Sequence, residues 1–416
     1  MEYKESKFNM YVKHHNQNFI FNTMRGSLIQ VDAQELPILE HFHQEFVDHG
    51  FIIPSDFDEI EYLKQKRIKA ISNKDALYVR ILTTSFCNAR CHYCYEQGLK
   101  QENMNKDTAI DIAKFICSIS QKTKFLNICW FGGEPLINTT VIGIIINYIK
   151  EHHINQNLKI ASSFITNGSL INDEIVYNMV NNWYTRDIQI SMDGYGDEYN
   201  LIKNYVSPNY NFNLVVENIK KLIKTPIKIR IRLNINRENF EKSKQLIDYF
   251  EKVIGHPQNF KIYPGFLFDG ENNNNKQIIH IDEFTLKKDF ADYLNNHGYS
   301  CTLSTQRRNL GCYAGRIDNF LITPNGQLYK CAQHYADKKS YCLGDIYHYN
   351  DIDQKQWIQD DLLSKCLNCI CLPLCQGGCK AARNTHLHLQ VCHTTPEEIE
   401  YSVHLLIDQM NDKKRH

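Results

Sequence analysis

Between residues 77 and about 267 this 416-residue chain alternates short β-rich runs with longer stretches of helical spacing, and that alternation limits the fold more than any other feature. The strand-like runs are "ALYVRILTT", "FLNICWF", "KIASSFIT", "DIQISM", "IKIRIRLNI" and "NFKIYPGF". Helical spacing is found between them at 106–120, 138–153, 172–182, 212–224 and 239–253. Parallel neighbours need a long crossover, whereas antiparallel ones can turn in two residues. Six strands separated by helices therefore predict an α/β fold with a parallel sheet, curved into a partial (β/α)6 TIM-like barrel over 76–270. In such a fold chemistry gathers at the C-terminal ends of the strands.

Residues 1–75 precede the barrel, and within them 8–62 read as a small α+β unit. "NMYVKHH", "NFIFNTM" and "SLIQVD" predict three strands, with "TMRG" as the second turn. "AQELPILEHFHQEFVDHG" follows as a helix, with Leu36, Leu39, Phe42 and Phe46 at helical spacing, Pro37 in its first turn and Gly50 as its stop. After the barrel, "GENNNNK" at 270–276 reads as an exposed border, and 271–311 as a linker with a helix around 282–297. A cysteine-rich region over 312–395 and a helix or tail over 396–416 complete the chain.

Forty-seven basic and 47 acidic residues cancel, so net charge makes no case for nucleic acid or an anionic membrane as partner. The charged N-terminus, "MEYKESKFNM", is unlike a signal peptide, and the longest apolar run, "VIGIIINYI", is too short to span a bilayer. A cytoplasmic location is the expectation. Fifteen cysteines in that compartment point to metal or redox chemistry rather than disulfides.

Three of them, Cys87, Cys91 and Cys94, form a C-x3-C-x2-C array directly after the first barrel strand. Structural zinc would want a fourth protein ligand, and His92 lies inside the loop. A cubane iron–sulfur cluster on three thiolates would leave one iron open to a small molecule. "FGGEP" (131–135) follows the second strand, where Gly132 and Gly133 allow close backbone approach, Glu134 can accept from an ammonium and Pro135 can start a helix. "ITNG" (165–168) and "SMDG" (191–194) end the third and fourth strands.

In this order the motifs resemble those of the radical S-adenosylmethionine (radical SAM) superfamily. The resemblance implies that the open iron is chelated by S-adenosylmethionine, whose reductive cleavage makes a 5′-deoxyadenosyl radical. It further implies that the Gly132–Pro135 motif holds the methionine amino group and that Tyr93 packs against adenine. Asn167, Ser191 and Asp193 would contact ribose or carboxylate. Relatives often carry His and Arg after the fourth-strand motif. Here "YGDEYNLIKNY" offers only Lys203, so Lys203 and Arg232 are both candidates for the carboxylate partner.

Towards the C-terminus the order Cys312, Cys331, Cys366, Cys369, Cys375, Cys379, Cys392 contains C-x2-C-x5-C-x3-C. C-x2-C alone is also a zinc half-site. The full order resembles the SPASM extension of the same superfamily, which implies two auxiliary 4Fe–4S clusters and three in all. Cys312, Cys331 and Cys379 would hold one, with Cys301 or Cys342 available for its remaining position. Cys366, Cys369, Cys375 and Cys392 would hold the other.

SPASM proteins mostly modify peptides, and the N-terminal unit resembles the winged-helix precursor-recognition (RRE) element of ribosomal-peptide maturases. A precursor peptide bound by leader-strand addition and a flavodoxin- or ferredoxin-type electron donor are the implied partners. A sulfatase-maturation type is the nearest alternative. Its relatives carry an Asp after the cysteine matching Cys331, where this chain has Ala332. A peptide epimerase and a zinc-stabilised binding protein are the other readings.

Overall fold

The computed structural model describes residues 2–41, 43–155, 157–267, 283–303, 312–337, 341–349, 362–380, 392 and 394–415. The chain divides into two compact units. Met1–Ser72, Thr302–Arg316 and Ile358–His416 form the first, and Asn73–Cys301 with Ile317–Trp357 the second.

In the first unit, β1 (Tyr3–Glu5) is followed by β2 (Asn9–His14), β3 (Gln17–Asn22) and β4 (Ser27–Val31), which form an antiparallel meander. The expected helix over 33–50 is not continuous. Ala33–Glu35 make one 3-10 turn, Leu36 is extended at φ −100° and ψ 133°, and α1 covers only Gln44–Asp48. A proline pushes the residue before it out of the helical region, so Pro37 breaks the helix it was expected to start. Leu39 is consequently exposed, Phe46 is buried, and Phe42 lies outside the described residues. Gly50 ends α1 at φ +77°, as expected.

β5 (Ile52–Pro54) pairs antiparallel with β1. The helix α2 (Glu59–Ser72) was not anticipated, because its apolar signal is thin: Leu63 is its only buried hydrophobic side chain.

The second unit is built on β6 (Ala76–Thr84), α3 (Lys106–Ile119), β7 (Phe125–Gly132), α4 (Thr139–His152), β8 (Lys159–Thr166), α5 (Asp173–Asn181) and β9 (Thr185–Met192). It continues with α6 (Asp197–Lys203), α7 (Phe212–Ile223), β10 (Lys228–Ile235), α8 (Phe240–Val253), β11 (Phe260–Phe266) and α9 (Glu283–Asn296). Three of these helices start on an asparagine cap: Asn105, Asn172 and Asn211 accept from the backbone N–H of Thr108, Ile175 and Leu214. The six strands pair in parallel in chain order, as the alternation predicted.

The sheet does not stop at β6. β12 (Asn319–Ile322) joins its free edge in parallel, and β13 (Gln327–Tyr329) and β14 (Gly344–Asp345) add antiparallel strands, making nine among the described residues. The helix α10 (Ala332–Asp337) lies between the last two. In the first unit, the C-terminal part supplies α11 (Leu372–Cys375) and α12 (Pro396–Arg415). No helix among the described residues is long and apolar enough to cross a membrane.

Alternation along the central strands separates two chemistries. Ile188, Ile190 and Met192 on β9, with Ile229, Ile231, Leu233 and Ile235 on β10, are buried on one face, where α7 and α8 pack on β10. Asp187, Gln189 and Ser191, with Arg230, Arg232 and Asn234, take the other. There Arg230 is paired with Asp187, and the Tyr263 hydroxyl donates to Gln189 at 2.6 Å.

Phe164 is wholly buried on β8, its ring 6.3 Å from Trp130 and 5.9 Å from Trp183. Replacing it with alanine is expected to cost about 3–5 kcal/mol. A lower urea midpoint followed by tryptophan fluorescence would register this.

Candidate functional site

Because β6 to β10 run in parallel, their C-terminal ends share one edge, and each sequence motif lies at or just past such an end. Cys87, Cys91 and Cys94 follow β6, Gly132 ends β7 and Gly133–Pro135 follow it, Asn167 follows β8, and Asp193 follows β9.

The two glycines are required by the protein's own backbone. Gly132 has φ +125°, and a Cβ there would lie 2.2 Å from the Thr84 carbonyl oxygen. At Gly133 a Cβ would meet the Phe86 and Ser85 carbonyl oxygens at 2.4 and 2.7 Å. Without side chains, the Gly133 N–H donates to Thr84 O at 3.1 Å and the Glu134 N–H to Phe86 O at 2.9 Å. The segment entering the cysteine loop is thus clamped onto the β7 turn.

Glu134 is fully buried and joins that turn to β8. Its Oε1 accepts from the Thr166 hydroxyl at 2.7 Å and the Leu136 N–H at 3.1 Å, and its Oε2 from the Asn167 N–H at 2.8 Å. Burial raises its pKa above the ordinary carboxyl value, opposed by these donors. A carboxylate offers about four acceptor positions, so one stays open to a ligand. Asn167 reaches back to the cysteine loop, donating to Asn88 Oδ1 at 2.8 Å, while Ser169 donates to its Oδ1 through both N–H and hydroxyl.

Around Asp193 the site closes into one network. Lys203 Nζ lies 2.7 Å from Asp193 Oδ2, with side-chain exposures of 2% and 0%. The Tyr93 hydroxyl donates to Asp193 Oδ1 at 2.6 Å, and Asn234 Nδ2 donates to the same oxygen at 2.8 Å. Lys203 also donates to the Ser191 hydroxyl at 3.2 Å, and its carbonyl accepts from the Arg90 N–H at 2.8 Å inside the cysteine loop. Burial opposes the lysine's charge, but Asp193, Tyr93 and Cys91 together outweigh it, and the ammonium is held well above its ordinary range. Burial, then Asp193, raise Tyr93 well above its own, so it remains a donor.

Arg232 stands apart. It is level with Ser191 across the β9–β10 register, but its guanidinium lies against Gly265, where a Cβ would meet Nε at 2.4 Å, and beside Tyr263. Lys203, not Arg232, is the cation gathered with Tyr93, Ser191 and Asp193.

Sequence reasoning missed Asn88, Asn234 and Asn239. Asn239 Nδ2 donates to the carbonyls of Asp193 and Asn234, both at 2.8 Å. One signal was available: in "IKIRIRLNI" strict alternation puts Asn234 on the polar face with Arg230 and Arg232.

The donor set suits an iron–sulfur cluster. None of the three cysteines is in a disulfide, and His92 is exposed with its ring edge-on to Tyr93. Burial pushes Cys87 up to about 12 and Cys94 up to about 11, and raises Cys91 as well. Such thiols stay protonated at neutral pH until a metal displaces the proton.

Of the C-terminal cysteines, Cys366 and Cys369 precede α11 in the first unit, Cys375 is its last residue, and Cys392 is exposed. Cys312 and Cys379 belong to the first unit and Cys331 to the second, all half-buried. Cys371 is 2% exposed in an apolar cluster with Phe19 and Leu374, and its thiol hydrogen bond holds Cys369 below the ordinary thiol range. Cys301 is buried, and the Cys342 thiol donates to Gly344 O at 3.2 Å.

Residues 81–250 match the sequence profile of the Radical SAM superfamily. The chain carries a radical SAM domain. That family implies a 4Fe–4S cluster and S-adenosylmethionine. Among curated relatives, the radical SAM cyclopropyl synthase TigE of Paramaledivibacter caminithermalis is 24% identical over 64% of this chain and 62% of its own length. The match therefore spans less than two thirds of TigE. A cysteine-type anaerobic sulfatase-maturating enzyme of Clostridium novyi is 24% identical over 71% of this chain and 86% of its own.

Among solved structures, anSMEcpe with bound AdoMet and Kp18Cys peptide superposes at a TM-score of 0.61, with 18% identity, covering 82% of this chain and all of that one. Streptococcus suis SuiB bound to precursor peptide SuiA gives 0.52, with 15% identity over 91% and 95% of the two chains. These are likenesses of fold.

Two predictions follow from the radical SAM site. Gly133→Ala displaces the segment leading to Cys87, so iron per chain should fall by about four. Lys203→Met strands a buried carboxylate at a cost of about 3–5 kcal/mol, and adding Asp193→Asn should recover part of the denaturant midpoint. The sign with pH is fixed. Lys203 has its pKa raised from 10.5, so its contribution is complete below that value and is lost as pH rises through the folded pKa.

Proposed function

We propose that this chain is a radical SAM peptide maturase. The observation that carries it is the convergence of the three-cysteine loop with Glu134, Asn167 and the Asp193–Lys203 pair at one edge of a parallel sheet. In this reading Cys87, Cys91 and Cys94 would hold a 4Fe–4S cluster, which would pass one electron from the external reductant to S-adenosylmethionine, giving methionine and a 5′-deoxyadenosyl radical. The protein's part is to bind and orient. The Gly132–Pro135 turn receives the methionine ammonium at the open side of Glu134. Lys203, kept charged by Asp193, faces the carboxylate, and Tyr93 borders the adenine.

A peptide substrate is supported by the peptides bound in the anSMEcpe and SuiB structures. The β2–β3–β4 meander has an edge strand in β4 to which an extended leader can add by backbone hydrogen bonds. Two auxiliary 4Fe–4S clusters complete the proposal, on Cys312, Cys331 and Cys379 and on Cys366, Cys369, Cys375 and Cys392. The reductant is of the flavodoxin or ferredoxin type. A second reading, oxidation of a cysteine to formylglycine, is favoured by the sulfatase-maturating relatives. Ala332 at the start of α10 argues against it, having no acid–base function where those enzymes carry Asp.

The test is to purify the protein without oxygen, measure iron and sulfide, and add dithionite with S-adenosylmethionine. About twelve irons per chain are expected, with 5′-deoxyadenosine formed by the wild type and not by Cys94→Ala. Zinc in place of iron and no cleavage would sink the proposal. A carbonyl product on a cysteine-containing sulfatase peptide would instead select the second reading.

A further inference from the structure

Within the first unit, α12 seats on the β2–β3 hairpin through Ile399, Val403 and Ile407, which cluster with Val12, Phe19 and Phe21. That apolar seat fixes the rotation of the helix. One residue further on, Glu400, His404 and Asp408 form a second stripe at the same four-residue spacing. His14 lies two residues after Val12, on the same face of β2. Core packing therefore presents the polar stripe to the tip of the hairpin.

The groups meet closely there. His14 Nδ1 is 2.5 Å from His404 Nδ1, and His14 Nε2 is 2.8 Å from Asp408 Oδ1. On the far side of His404, Nε2 is 3.8 Å from Glu400 Oε1. His15 occupies the two-residue turn at φ +46°, beside Asn16 at +64°. Paired left-handed residues match the twist of a hairpin. One ligand atom from each of His14, His15 and Asp408 lies within 4.8 Å of the other two.

The contact of His14 Nδ1 with His404 turns His14 Nε2 towards Asp408, and with His15 beside them two imidazoles and a carboxylate offer ligand atoms to one small space.

We propose that His14, His15 and Asp408 bind a divalent transition-metal cation of the zinc class, with His404 as the residue that positions His14. Imidazole and carboxylate donors suit zinc, cobalt and nickel, and no thiol takes part, so the site is independent of the cysteine arrays. With His14 Nε2 on the metal, its Nδ1–H donates to His404 Nδ1. Such a second hydrogen bond orients a ligating histidine and raises its basicity. The bound ion would pin the hairpin tip to α12 beyond the reach of the apolar seat.

The test uses the holoenzyme with its clusters assembled, freed of loosely held metal and titrated with Co2+ without oxygen. About one Co2+ per chain is expected, with d–d absorption and no thiolate charge-transfer band. His15→Ala and Asp408→Asn leave the apolar seat intact, and each should weaken binding at least about tenfold at unchanged iron content. His404→Ala should shift the d–d spectrum as well as the affinity, which a merely structural role would not do. If wild type and the His15→Ala/Asp408→Asn double variant titrate alike, or if a thiolate band accompanies binding, the site is refuted.

Discussion

The Asp193 carboxylate has no exposure to water, and its charge is tolerable only because three elements turn polar groups towards it while a fourth holds its backbone. Lys203 comes from the end of α6, Tyr93 from the cysteine loop, Asn234 from the end of β10, and Asn239 holds the Asp193 carbonyl from the start of α8. A buried ion lacking such partners would cost several kcal/mol. Formation of the pair therefore requires β9, β10, α6 and the loop to be in place together. The cysteine loop, which has little regular structure of its own, inherits its position from this requirement.

A second clamp acts from the opposite side. Gly132 and Gly133 bring the β7 turn against the backbone of Thr84–Phe86, and Glu134 ties that turn to the end of β8. Between the two clamps, three thiols of the loop, the Glu134 carboxylate and the Lys203 ammonium at the end of α6 are held in place. Pre-organisation of this kind reduces the ordering that binding would otherwise demand. Burial that raises the cysteine pKa values fits the same design, since thiols that stay protonated would give up the proton only to a metal.

Much of the barrel was legible because its signals are local. Helical and strand periodicities are read over about fifteen residues or fewer and each motif over a handful, and all six parallel strands lie where the alternation places them. Legibility failed where a local signal was overruled or had to be completed from far away. Leu36, Leu39 and Phe46 have helical spacing, yet Pro37 prevents the helix. The short strands β12 to β14 have three or four residues at most, and only the free edge of β6, more than 200 residues earlier, makes them strands.

The chemical inventory of the site was determined by the sequence itself: the cysteine spacing, the paired glycines, Glu134, and the absence of a His and Arg after the fourth-strand motif. The roles were decided by tertiary structure. In the sequence Lys203 and Arg232 are both candidates, and only the folded chain puts one ammonium 2.7 Å from Asp193 while laying the other cation against Gly265. The asparagines that complete the network, and the histidines that meet at the hairpin tip, carry no motif at all. Their partners are separated by 41 residues for Asn234 and Asp193, and by 390 for His14 and His404. Hydrogen bonds and charge pairs act over a few ångströms of space, so a chain reveals such partners only once packing has brought its distant segments together.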